Sequence, residues 1–296
     1  MPKLKFVGKF PERVPSELMV YSTETPKYGR TIILDTMRRL KLPTRPLGLG
    51  YKPANLRPEF RFVDNWAIGK RDAFTVAVNR LSGAIRFRDE LRHGRELDKS
   101  FKIPESHLID IARKFVDEAE LLEQPAKELK VVKISYLRTR GASVDGKETL
   151  EQILDGGVIF QREIDNIPVA GFGGFVMVNI AHDESVVAAT KIWRHRDKKL
   201  GKVKVLQPEY ALKEFQRRLE AKGLKDLVEV LKSDFCYFEA NDNTKQDYLE
   251  PTYAFVYKTK TGQFTYKSVE IVPAVEEPKQ KWIFRKRFYA RALSRS

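Results

Sequence analysis

The sequence predicts an α+β fold of three tandem modules, each one amphipathic helix laid against an antiparallel sheet. Apolar residues recur with a helical period in three places, and two of those segments align with each other without a gap. Alternating, β-branched and aromatic sequence accompanies each helix. With 42% hydrophobic residues among 296, the chain can also bury a sizeable core. A helix with one apolar stripe and a sheet with one apolar face hide those surfaces by packing on each other, so the repeat implies two-layer units.

The first helix is expected in YGRTIILDTMRRLKL, where Ile33, Met37 and Leu40 share a face before Pro43 prevents continuation. FRFVDNWAI and FTVAVNRLSGAIRF follow as strands, the latter a hairpin turning at Ser82-Gly83. The second helix lies in PESHLIDIARKFVDEAELL, with Leu108, Ile111, Ala112, Phe115, Val116, Ala119 and Leu122 on its buried face. Pro104 suits its first turn, and Glu105 favours the positive end of the helix dipole. LKVVKISYLRTR, GVIFQREI, GFVMVNIA and SVVAATKIWRH read as its strands. The third helix is PEYALKEFQRRLEAKG, opened by Pro208 and Glu209, buried through Leu212, Phe215 and Leu219, and stopped at Gly223. DFCYFEA, TYAFVYKT and FTYKSVEIV complete the third meander. The expected modules span residues 1–100, 101–205 and 206–277, with a basic aromatic tail over 278–296.

A formal charge of +15 favours acidic partners: nucleic acid, anionic lipid or acidic protein. The one cysteine, Cys236, excludes an internal disulfide and any multi-cysteine zinc site. No apolar run approaches the roughly 18 residues of a membrane-spanning helix. The start carries no secretory signal pattern, which leaves the compartment open between an intracellular protein and one whose leader has been removed.

The segment REIDNIPVAGFGG contains the run Gly171, Gly173, Gly174. A phosphate loop would need a helix directly after it, but Phe-Val-Met-Val-Asn-Ile follows, alternating and β-branched. The expectation is a strand connection in which glycine permits positive φ or a close backbone approach, with Pro168 at a strand edge or turn. The longer segment FQREIDNIPVAGFGGFVMVNIAHDESVVAATKIW resembles PepSY and thermolysin-type propeptide domains in its led strand, its IPV-x-G hairpin and its following alternating strand. Asn166 stands where that pattern has glycine, and Asp183-Glu184 where it has its turn glycine. The hairpin TVAVNRLSGAIRF is similar to another element of the same modules. The resemblance, over roughly residues 18–275 and as in YycH/YycI-type extracytoplasmic regulators, implies tandem PepSY- or cystatin-like modules with a protein-binding, inhibitory or regulatory role.

Candidate chemistry is sparse. His93, His107, His182 and His195 are scattered, none at metal-ligand spacing with another, and each reads as a surface or turn residue. Neither metal nor cofactor is expected. Cys236 sits in an apolar strand, as a small buried hydrophobe does. His182 to Ser185 reads as a hairpin turn, and Glu163 with Asp165 could share a face but ordinarily would meet water. Two basic patches remain. KIWRHRDKKLGKVK, from Lys191 to Lys204, offers Trp193, Arg194, Arg196, Lys198 and Lys199 as binding residues. The tail offers Trp282, Arg285 and Arg287. Cations interleaved with aromatics can contact phosphates and stack on bases, or meet an acidic surface. The sequence points first to a non-enzymatic binding or regulatory protein whose cationic surface engages an acidic protein, peptide or surface. Its alternatives are nucleic-acid binding through the patches and an enzyme of unrecognised class with a pocket between modules.

Overall fold

A computed structural model describes residues 2–11, 13–40, 58–94, 101–122, 128–142, 149–224, 227–261 and 264–280. In chain order the elements are β1 (Leu4–Phe6), β2 (Glu17–Thr23), α1 (Arg30–Arg39), β3 (Glu59–Val63), β4 (Trp66–Arg71), β5 (Phe74–Asn79), β6 (Ile85–Asp89) and α2 (Glu105–Glu118). They continue with β7 (Leu129–Ala142), β8 (Thr149–Ile164), β9 (Ile167–Gly171), β10 (Phe175–Ala181), β11 (Val186–Ile192), β12 (Arg196–Lys204) and α3 (Pro208–Ala221). Last come β13 (Val228–Glu239), β14 (Tyr248–Leu249), β15 (Pro251–Thr261) and β16 (Phe264–Pro273).

The three helices form where the apolar periods place them. In α2, Leu108, Ala112 and Val116 are buried one turn apart, Pro104 is the N-cap, and the chain leaves the helix through Glu120 in the left-handed region at φ 46. In α3, Pro208 occupies the first turn and Ala211, Phe215 and Leu219 face inward. In α1, Ile33, Thr36 and Met37 are buried, and Arg39 reaches across to donate to the Glu120 carbonyl at 2.8 Å, tying the C-terminal end of α1 to that of α2.

The sheets overturn the modular expectation. Among the described residues, 13 strands form one mixed sheet in the order β16-β15-β13-β9-β8-β10-β11-β6-β5-β4-β3, with β1 also pairing β13 and β7 also pairing β8. A second sheet has the order β12-β2-β14. Among the described residues the protein is therefore mostly β, with three helices on a continuous sheet, and does not consist of three α+β helix-plus-sheet units of the PepSY or cystatin kind. The physical reason is edge satisfaction. A meander standing alone exposes two rows of unpaired N–H and C=O groups. Here β6 pairs antiparallel with β11, from Ile85↔Lys191 to Arg88↔Ala188, and joins the first meander to the second. The short parallel pairing of β9 with β13, Val169↔Tyr237 to Gly171↔Glu239, joins the second to the third. In consequence α1 and α2 share one core with Ile33, Met37, Leu108 and Val116 in the same cluster, while α3 covers a second core around Phe215, Tyr253 and Phe255.

Candidate functional site

The segment Lys191–Lys204 does not lie on the surface as a unit; the fold divides it among three environments. Trp193 is buried in the core beneath the helices, and the Arg162 guanidinium carbon stands 4.6 Å from its ring centroid. Arg194 is 2% exposed and faces Glu239, which is fully buried. Its backbone N–H donates to Glu239 Oε1 at 2.8 Å, and its guanidinium donates to the carbonyls of Ala240, Asn241 and Thr244 at 2.8, 2.7 and 2.6 Å. Arg162 donates to Glu128 at 2.8 Å and to the Arg194 carbonyl at 2.8 Å. Arg196 pairs with the same Glu128 and lies 4.7 Å over the Tyr21 ring. Burial pushes the Glu239 carboxyl up while Arg194 and Arg162 pull it back, and burial likewise lowers Arg194 against the pull of Glu239. This is a structural hub that holds the 240–244 loop against the β11–β12 connection. Removing one partner would strand a buried charge, at a cost of ~3–5 kcal/mol.

The glycine run belongs to the same hub. Phe172 and Gly173 donate their N–H groups to the Glu239 carbonyl, both at 3.1 Å. A Cβ on Gly173 would stand 2.6 Å from the Ala240 carbonyl oxygen, so the close approach of β13 requires glycine there. The run connects β9 to β10.

Only the last part of the basic segment meets solvent. Lys198, Lys199, Lys202 and Lys204 are exposed on β12, whose pairing partner among the described residues is β2. Trp282, Arg285 and Arg287 lie outside the described residues. The remaining candidates separate. Glu163 pairs with Lys130 at 2.8 Å, whereas Asp165 sits in the β8–β9 turn at φ 51 and accepts from Tyr21 Oη at 2.9 Å. Cys236 is buried with its sulfur 3.4 Å from Thr252 Oγ1, and burial pushes its thiol up to about 12. His107 meets Glu184 at 3.2 Å and His93 meets Asp155 at 2.8 Å. No group of three or more His, Cys, Asp or Glu side chains placed to hold a metal ion occurs among the described residues.

Among the described residues, a concavity opens on each face of the large sheet. On the face turned away from α1 and α2, a trough of about 470 Å³ is lined by Thr75, Ala77, Arg86, Arg88, Met177 and Ala188, with Phe175, Asn179, Thr190 and Ile192 beside them and Glu90 and His93 at its edge. Strand register explains it. Ala77, Arg86, Thr190 and Met177 stand directly opposite one another across four strands, and Thr75, Arg88, Ala188 and Asn179 form the next row. Small side chains make the floor, and two arginines rise from β6. Arg86 also pairs with Asp242 and lies 4.5 Å over the Trp66 ring.

On the helix side, a cleft of about 330 Å³ opens between α1 and the sheet, lined by Ile32, Asp35, Arg39, Val78, Ile85, Lys191 and His195, with Glu24, Pro26, Lys27, Ser82 and Glu120 also contributing. Lys191 is 3% exposed, and its Nζ lies 2.8 Å from His195 Nε2. Burial, with Lys191, Arg162, Arg39 and Lys27 around it, holds the His195 imidazole down at about 3, so the ring is neutral at pH 7. The sequence reading placed His195 in a turn or on the surface and Lys191 in a basic patch. The available signal was parity: Lys191 has the same strand parity as Ala189 and Trp193, both buried.

Fold and site together define a mostly β protein with helices on one side of a large mixed sheet and a concavity on each side of it. No family model matches the sequence, and no curated protein matches it. Among solved structures, it is similar to the 1.45 Å crystal structure of an uncharacterized protein from Eubacterium rectale, at 11% identity and a TM-score of 0.55, over 93% of this chain and 89% of that one. That likeness concerns the fold alone. Among the described residues, no helix is long and apolar enough to cross a membrane.

Proposed function

We propose that this is a non-enzymatic binding protein that receives an acidic polypeptide segment in the trough on the helix-free face of the sheet. The observation that carries the reading is the pairing of Arg88, exposed on β6, with an apolar floor of Ala77, Met177, Ala188 and Ile192. Arginine, methionine and aromatic side chains are enriched at protein-binding surfaces, whereas lysine is depleted there. The formal charge of +15 draws an acidic partner towards it at long range. The resemblance of Phe160–Trp193 to PepSY sequences points in the same direction, to binding. The test is fluorescence anisotropy with acidic peptides selected on the wild-type protein. Arg88→Glu is expected to weaken them at least about tenfold, as loss of a charge-assisted contact does. Failure to select any acidic peptide, or equal affinity in the variant, contradicts the proposal.

A second reading has its own observation. Lys198, Lys199, Lys202 and Lys204 stand exposed along β12, a ladder suited to a phosphate backbone. It requires a mobility shift at ~50 mM salt that weakens steeply as salt rises.

A further inference from the structure

The trough contains a side chain that the fold itself leaves unanswered. Asn179 on β10 is 9% exposed and lines the trough. Among the described residues its side-chain amide has no hydrogen-bond partner. Asn79, also buried, shows the ordinary case: it donates to Asn243 at 3.3 Å and accepts from the Leu81 N–H at 2.8 Å. A buried amide without a partner costs ~1–3 kcal/mol. The Asn179 nitrogen stands beside the space over Gly157, where a Cβ would lie 3.5 Å from it. Strand register shapes the surroundings. The row of Thr75, Arg88, Ala188 and Asn179 continues to Gly157 and Ser135, and the row that ends in Met177 continues to Ile159 and Lys133. Both rows run between two walls. On one side Asp155, which has the strand parity of Gly157, accepts from the Gly94 N–H at 2.9 Å and meets His93 at 2.8 Å, which draws the turn after β6 towards β8. On the other, the 240–244 loop meets Arg86 through Asp242 and Asn79 through Asn243. The trough is thus a groove that runs across the strands.

We infer that the acidic partner lies in this groove as an extended chain, and that Asn179 holds its main chain by donating to the carbonyl and accepting from the N–H of the segment that crosses it. The inference rests on the reading of the trough as a peptide site and adds the form in which the peptide is taken. A side-chain amide offers both a donor and an acceptor, the complement of a peptide unit. A helix has its N–H and C=O groups bonded within itself and would bury Asn179 still unpaired. An extended segment brings both groups free. The neighbours of Asn179 in its row are small, Ala188 on one side and Gly157 on the other, so a main chain can come close. Arg88 stands two strands away in the same row, ~10 Å at the usual strand spacing. It is exposed and, among the described residues, has no ion-pair partner. An extended chain covers that distance in about three residues, so the acidic residue that Arg88 takes lies about three positions from the peptide unit on Asn179. Lys133, exposed on β7 in the neighbouring row, carries the same charge preference beyond Asn179.

The experiment takes the tightest acidic peptide selected on the wild-type full chain, acetylated and amidated at its ends, and methylates each main-chain nitrogen in turn. Affinities are read by fluorescence anisotropy on the wild type and on Asn179→Ala. In the wild type, methylation at one position is expected to weaken binding by about fivefold or more, as loss of a main-chain hydrogen bond in a desolvated site does. In Asn179→Ala the unmethylated peptide is expected to bind about fivefold more weakly, and the same methylation to cost less than about twofold. A peptide indifferent to methylation at every position overturns the inference, as does an equal loss at that position in both proteins. Either result leaves the peptide bound, and so leaves the reading of the trough standing. Should Asn179→Ala fail to fold, circular dichroism of the peptide bound to the wild type decides with the methylation scan: an extended peptide with one sensitive position supports the inference, and a helical one overturns it. Failure to select any acidic peptide overturns the inference and the reading of the trough together.

Discussion

The two helix layers of this protein solve the same packing problem with different side chains. Under α3 the contact is made by rings: Phe215 stacks on Phe255 with centroids 4.3 Å apart and meets Tyr257 edge-on at 5.5 Å. Under α1 the contact begins in the same way, with Ile33 and Met37 buried over β4 and β5, but along β11 the apolar row gives way to Lys191 and His195. Rings fill the contact under α3, whereas a cleft opens beside α1. Within the row of seven that α1 and α2 cover, Ala67, Val78, Ile85, Lys191, Val176, Phe160 and Val131, Lys191 is the polar position.

This contrast is sharpest in the α3 layer. Phe215→Ala removes the ring at the centre of its aromatic stack and is expected to lower unfolding free energy by ~3–5 kcal/mol, measured by urea denaturation. A loss below ~1 kcal/mol would show that α3 is not seated on its rings, and the two layers would no longer differ.

A pH titration of stability examines the α1 layer, with a smaller expected effect. His195 is held at about 3 in the folded protein against an unfolded value near 6.5. Between those values the unfolded chain binds a proton that the folded chain refuses, so stability is full above pH 6.5 and falls as pH drops below it. The slope from this one group is at most ~1.4 kcal/mol per pH unit. Glu24, Asp35 and Glu120 line the same cleft, so the informative interval is the upper part of that window, pH 6.5 to 5. In that interval His195→Gln is expected to flatten the slope. An equal slope in the variant would place the proton elsewhere.

Much of the secondary structure was legible in the sequence. Leu108, Ala112 and Val116 announced α2 by spacing alone, and Pro208 with Phe215 and Leu219 announced α3. The strand after Gly174 was legible too, because Phe-Val-Met-Val alternates and no helical period follows. What failed was the inference from repeated order to separate units. Helix followed by meander does recur along the chain, but Ile85 and Lys191, more than 100 residues apart, stand opposite each other in one sheet, and periodicity carries no information about such partners. The basic segment failed for a related reason. Its composition is that of a solvated patch, yet the strand carries Lys191 and Trp193 into the core, and Arg194 is absorbed by Glu239, which lies 45 residues further along the chain. Charge counts do not reveal burial when the compensating carboxylate arrives from another strand. The trough was invisible in the same way, since Arg88, Ala188 and Asn179 become neighbours only through register.

The account rests on one continuous sheet that joins the three meanders, clasped beside the pairing of β9 with β13 by the buried Arg194–Glu239 pair, and urea denaturation of Glu239→Gln reads that directly. Glutamine keeps the shape of the side chain but leaves the Arg194 guanidinium buried without its carboxylate, so the variant is expected to be less stable than the wild type by ~3 kcal/mol or more. A loss below ~1 kcal/mol would show that the clasp does not hold the meanders together.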